Sequence, residues 1–166
     1  TFDAEPGTGL ADMLADPDRI DPLFLERASV AADDVETRRR LYESAENAAK
    51  KAITLDPNLG EAYAALGWIN RNYDWDWAAA EANFKRSIEL APNVWFHYRR
   101  YASLLITLGR TSEAVQIDQR AKELNPLQNG ATAYYYNRQY EEAIAESLPQ
   151  LKMSNDPDAR KTMAAD

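Results

Sequence analysis

Leu55-Asp56-Pro57, Leu90-Ala91-Pro92 and Leu124-Asn125-Pro126 recur along the chain with their prolines 35 and 34 residues apart. The residue before a proline is pushed out of the helical region, so each tripeptide reads as the end of a helix. A period of about 34 residues is that of a two-helix repeat. Units of this kind bury their apolar faces by stacking on one another. A chain built from them works through a surface rather than through a pocket of reactive groups.

Between these stops the apolar residues keep a helical period. Leu41, Ala45, Ala48, Ala49, Ala52 and Leu55 recur at three- and four-residue steps and predict a helix from about Asp34 to Leu55. Tyr63, Leu66, Gly67 and Asn70 share one face of a second helix over about 59–72. A turn at Tyr73-Asp74-Trp75-Asp76-Trp77 leads into a third helix carrying Ala80, Phe84, Ser87, Ile88 and Leu90. Gly67 and Ala80 are small enough to let these two helices approach closely, at roughly 8–10 Å between axes. The plan repeats with Tyr98, Tyr101, Ala102 and Leu105, a turn at Gly109 that favours positive φ, and then Ala114, Ala121 and Leu124.

Both ends depart from the plan. Pro126 and Ala143 are 17 residues apart, against 22 for Pro92 and Ala114, so the first helix of the last unit, over 127–137, is about five residues short. Pro149 falls inside the second helix of that unit, where it removes a donor and clashes with the preceding turn. Asp156-Pro157 marks the start of a final short helix. At the front, residues 1–21 are rich in Asp, Pro and Gly and read as an arm with a short helix through Leu10, Met13 and Leu14. Asp21-Pro22 opens the first repeat helix. The predicted organisation is an arm over 1–21 and a repeat region over 22–166, in units of about 22–57, 58–92, 93–126 and 127–157.

Composition narrows the function classes. The chain has 166 residues, 19 basic and 27 acidic, for a formal net charge of −8. Nucleic-acid binding needs a basic stripe, so it is not expected. Cysteine is absent, which removes disulfides, thiolate nucleophiles and zinc–thiolate sites. The apolar runs are too short to span a bilayer, and no basic-then-apolar leader is present. The chain begins at Thr1 and is read as a piece of a longer protein whose compartment, cytoplasmic or extracytoplasmic, the residues leave open.

Tyr63, Leu66-Gly67, Ala80, Phe84, Ser87 and Pro92 together resemble the tetratricopeptide repeat. Tyr98, Ala102, Ala114, Ala121 and Pro126 resemble a second copy, and Ala45, Ala52 and Pro57 the second half of an earlier one. Tyr140-Glu141-Glu142-Ala143 resembles the start of a later second helix. The likeness covers about 22–151. It departs from the pattern in the Tyr63 unit, whose loop is one residue longer than usual, and in the last unit, where Gly130 is unusual. The stretch from Tyr73 to Glu81 is similar to segments in bacterial signalling proteins, namely adenylate-cyclase-like proteins and membrane-bound winged-helix transcriptional regulators. The resemblance implies an all-α, right-handed superhelix (an α-α solenoid) and protein or peptide binding in a concave groove, as a regulatory module of a larger bacterial protein.

No catalytic or cofactor-binding constellation is expected. His97 is the only histidine, with no serine and acid placed beside it for a triad, and reads as a surface or interface residue. Asp74 and Asp76 lack the rest of a calcium loop, and no glycine-rich phosphate loop occurs. Neither a metal nor a cofactor is predicted. Trp75 and Trp77 read as a plug between units in preference to an exposed aromatic anchor for a partner.

In the resembling family the groove is lined by the first helix of each unit. Its faces here are Ala64, Ala65, Trp68, Arg71 and Asn72, then Phe96, Arg99, Arg100, Ser103 and Thr107. The candidate partner-binding set is Trp68, Arg71, Asn72, Phe96, Arg99, Arg100 and Ser103, aromatic and guanidinium groups suited to a partner of acidic character. The family's chaperone-binding clamp is not expected, because Ala64 and Trp68 stand where it needs Lys and Asn. Tyr134-Tyr135-Tyr136 cannot all face one core, so at least one is expected at the surface or in a homodimer over the shortened end. Two other readings fit the same residues: a self-association module, and a sensor whose groove holds a small ligand.

Overall fold

The computed structural model describes residues 35–155. The arm over 1–21, the helix expected from Asp21-Pro22 and the short helix expected from Asp156-Pro157 lie outside these residues. The described elements are all helical: α1 (Val35–Leu55), α2 (Gly60–Ile69), a π-helical turn (Asn70–Asp74), α3 (Trp77–Leu90), α4 (Trp95–Thr107), α5 (Thr111–Leu124), α6 (Ala131–Tyr136) and α7 (Tyr140–Asn155). Residues up to Arg100 form one compact unit and those from Tyr101 onward a second, with the boundary inside α4.

The three proline tripeptides make three turns of the same chemistry. Leu59, Val94 and Gln128 donate their N–H to the carbonyls of Asp56, Ala91 and Asn125. Asp56 Oδ1 accepts from Asn58 N at 2.9 Å, and Asn125 Oδ1 from Leu127 N at 3.2 Å, so two of the turns close with the side chain that precedes the proline. Two tyrosines lock the following helices. Tyr63 Oη donates to Pro57 O at 3.3 Å and Tyr98 Oη to Pro92 O at 2.9 Å, each across six residues.

In the first unit, α2 lies against both α1 and α3. Ala62, Ala64, Ala65, Gly67 and Ile69 are all buried, so α2 is enclosed on more than one side. Phe84 of α3 is fully buried over Gly67, and a β-carbon at Gly67 would stand 2.8 Å from Phe84 Cδ1. Asp76 caps α3 by accepting from Ala79 N at 3.0 Å.

The extra residue expected in the loop of this unit is absorbed inside the helix. A π-helical turn accommodates one residue more than the α-helix it interrupts. Here it runs over Asn70–Asp74 and ends at Trp75, whose φ of 59° is left-handed. Asn70 Nδ2 donates to Asp74 Oδ2 at 2.8 Å across this turn, and Asn83 Nδ2 of α3 donates to Asn70 Oδ1 at 2.9 Å. Trp75 is 72% exposed and Trp77 39%, so neither plugs a space between units, contrary to expectation.

In the second unit, Leu104, Leu105, Ala114 and Ala121 form the apolar centre, and α6 packs against both α5 and α7. Gly109 has the expected positive φ, 74°, and Arg110 N bonds Leu105 O at 2.9 Å behind it. The same reversal follows α6: Arg138 takes φ 62° and Gln139 N bonds Tyr134 O at 2.9 Å. The unusual Gly130 has a local cause, since a β-carbon there would stand 2.6 Å from Asp118 Oδ2. The first helix of the last hairpin is only six residues, 131–136, shorter even than the sequence suggests. Pro149 does not break α7, which runs on to Asn155. Both Pro149 and Ala145, whose carbonyl loses its usual donor, lie on the exposed side, so the missing bond falls toward solvent.

Candidate functional site

Five side chains of the first unit form a continuous stack. Tyr73 of the π-turn stacks on Tyr42 of α1 with ring centroids 4.6 Å apart, and Tyr42 on Trp68 of α2 at 5.6 Å. The Arg100 guanidinium of α4 lies 5.2 Å from the Trp68 ring and 4.5 Å from the Phe96 ring. A cation facing two aromatic rings is held by their quadrupoles, more strongly where water is excluded. Three helices and the π-turn are tied together by this one column.

The structure therefore divides the seven candidate residues. Trp68 is 8% exposed and Arg100 6%, so both are interior members of the column. Arg99, next to Arg100, is exposed, as is Asn72, whose Nδ2 donates to Trp68 O at 2.8 Å. Arg71 and Phe96 are half-buried, and Arg71 reaches Asn72 Oδ1 at 3.4 Å. Ala64 and Ala65, placed by the sequence on the groove side, are fully buried. Ser103 is half-buried and belongs to the second unit. What remains accessible in the first unit is Arg71, Asn72, Phe96 and Arg99.

The arginines of each unit follow a pattern. Arg39 and Arg40 pair with Glu36, Arg86 with Glu89, Arg110 with Glu113 and Arg120 with Glu123. No side-chain hydrogen bond or ion pair among the described residues engages Arg99. In an acidic chain, its exposed guanidinium is left uncommitted.

His97 is not at the surface, contrary to expectation: it is 1% exposed. Its Nδ1 lies 3.2 Å from the Ser87 carbonyl, which can only accept, so Nδ1 carries the proton. Burial, the largest influence, lowers its pKa from the ordinary 6.5, against the pull of Glu61. A depressed histidine pKa means the unfolded chain takes up a proton that the folded chain refuses. The contribution to stability is complete above about pH 6.5 and is lost as pH falls toward the folded value. Urea unfolding of wild type and His97→Gln between pH 8 and pH 5 should show the wild type losing stability more steeply below about pH 6.5. Parallel curves would remove His97 as the cause.

A second feature lies on α6 and α7. Ala131, Tyr135, Tyr140, Ile144, Leu148 and Leu151 are among the residues lining an open apolar groove of about 500 Å³. Tyr135 meets Tyr136 edge-on at 5.5 Å and Tyr140 at 5.8 Å, with all three rings more than half exposed. At least one tyrosine of the 134–136 run is thus at the surface. The sequence did not single out Ile144, Leu148 and Leu151. Among the described residues no cluster of three His, Asp or Glu side chains is arranged to hold a metal ion, and no helix is long and apolar enough to cross a membrane.

No protein-family model matches the sequence, and no curated protein sequence matches it either. Solved structures do. One crystal structure of MamA superposes with a TM-score of 0.60 at 20% identity, covering 96% of this chain and 99% of that one. A second, of MamA protein, gives 0.58 at 20% identity over 84% and 79%. A mutant O-GlcNAc transferase of Thermobaculum terrenum gives 0.52 at 18% identity, covering 82% of this chain but 23% of the transferase. What they share with this chain is the fold. It is all-α, of the α-α solenoid type, built from tetratricopeptide-like helical hairpins.

Proposed function

We propose that this chain is a non-catalytic protein-binding scaffold. In this reading the first unit takes an extended segment of acidic character across Arg71, Asn72, Phe96 and Arg99. The observation that carries it is Arg99: exposed, uncommitted and beside the half-buried Phe96, on a helix fixed in place by the Arg100 column. An arginine suits bidentate contact with a carboxylate, and an adjoining aromatic supplies apolar area. Solenoid-type repeats recognise partners through such helix faces. The likeness to helical-repeat structures supports protein partners as a class. A regulatory role inside a larger bacterial signalling protein extends the same reading.

Fluorescence anisotropy with a panel of labelled acidic peptides, each carrying one aromatic or leucine anchor, tests this. The best binder should lose about tenfold or more in affinity with Arg99→Ala, the scale expected for an interface arginine. Arg138→Ala, which removes an exposed arginine of the second unit, should leave it unchanged. Equal affinity for wild type and Arg99→Ala, or no binding by any peptide, would remove Arg99 from the site.

A further inference from the structure

From the open groove on α6 and α7 we infer a second interaction surface, whose occupant is another copy of this chain, docked with its own α7 antiparallel across a two-fold axis. The inference does not rest on the peptide-binding reading, because it uses other residues in the other unit.

Tyr140, Ile144, Leu148 and Leu151 follow one another at steps of four, four and three, which draws a straight stripe along α7. Each is at least 45% exposed, as are Tyr135 and Tyr136 beside them. Side chains of this size leave on the order of 600 Å² per copy open to water. A stable protein–protein interface needs about 800 Å² per partner, so these six residues with a modest rim come close to that size.

The chemistry favours self-pairing. A two-fold interface requires one surface to supply both ridge and groove. Here the α7 stripe is the ridge, and the space between it and Tyr135 of α6 is the groove. Antiparallel α7 helices also oppose their dipoles. With the axis between Ile144 and Leu148, the exposed Glu141 and Glu142 lie over residues 150–151 of the other copy rather than over each other. Glu146, the one acid near the axis, is only 15% exposed and is paired with Lys122 of α5, so its charge is already met inside its own copy.

Sedimentation equilibrium over a rising concentration series should show the 18.7 kDa chain approaching twice its mass. Ile144→Glu with Leu148→Glu should stay at the single-chain mass throughout, with unchanged circular dichroism, because both positions are exposed. The absence of native cysteine allows a second readout. Ile144→Cys and Leu148→Cys chains, mixed in equal amounts and oxidised at the concentration where wild type pairs, should link to each other, because this axis sets 144 opposite 148, whereas Gln116→Cys, at an exposed position of α5, should not link. A wild type that stays monomeric would overturn the inference and leave the groove to residues 156–166 or to a different partner. A dimer that survives both glutamates, or cross-links no better at 144 and 148 than at 116, would overturn it as well.

Discussion

Phe84→Ala is expected to lower the unfolding free energy by about 3–5 kcal/mol, the usual cost of deleting a buried ring. Phe84 has no exposed surface, and its ring lies directly against Gly67 of α2. In a unit of this size each kcal/mol moves the melting temperature by roughly 4–8 °C, so thermal unfolding reads the loss directly. The partner substitution is more diagnostic. Gly67→Ala would add a methyl 2.8 Å from Phe84 Cδ1 and 2.9 Å from Cε1. Alanine is favoured over glycine in a helix by about 1 kcal/mol, so on propensity alone it should stabilise. Overpacking of about 1–3 kcal/mol opposes this, and the fully buried ring has little room to move aside. Gly67→Ala should therefore destabilise wild type but be neutral or stabilising when Phe84 is first replaced by Leu. Strictly additive effects would show that Gly67 is not there for the ring.

Turn chemistry and helix stripes were legible because they are local. Each proline ends a helix through its own ring and the residue before it, and the side chains of Asp56 and Asn125 close two of these turns within two residues. The π-turn was half legible. One surplus residue between Tyr63 and Ala80 must go somewhere, but its place depends on Asn83 of α3 holding Asn70. His97 was misread because its burial is set by the approach of Ser87, ten residues away in sequence and fully enclosed. Trp68 and Arg100 were rightly put on neighbouring helices but taken as a lining. Their stacking with Tyr42 of α1, which the sequence did not bring to that face, makes them interior. The groove on α7 was hidden by Pro149: once the helix is assumed to break there, Tyr140, Ile144, Leu148 and Leu151 no longer read as one stripe.

Arg100→Glu should cost about 3–5 kcal/mol, the range for leaving a charge buried without compensation. The carboxylate would sit between the Trp68 and Phe96 faces, whose negative quadrupoles attract a guanidinium and repel an anion. Arg100→Met keeps most of the packing volume and places no anion between the two rings, so it should cost less. Arg99→Glu, one residue away and exposed, should stay within about 0.5 kcal/mol of wild type. Urea unfolding of the three variants checks this ordering, and equal losses for Arg99→Glu and Arg100→Glu would refute the buried column. The ordering also governs how binding experiments are read. A variant carrying both glutamates would lose partners by loosening α1, α2 and α4, whatever Arg99 touches. Arg99 alone, changed on an intact column, separates recognition from stability.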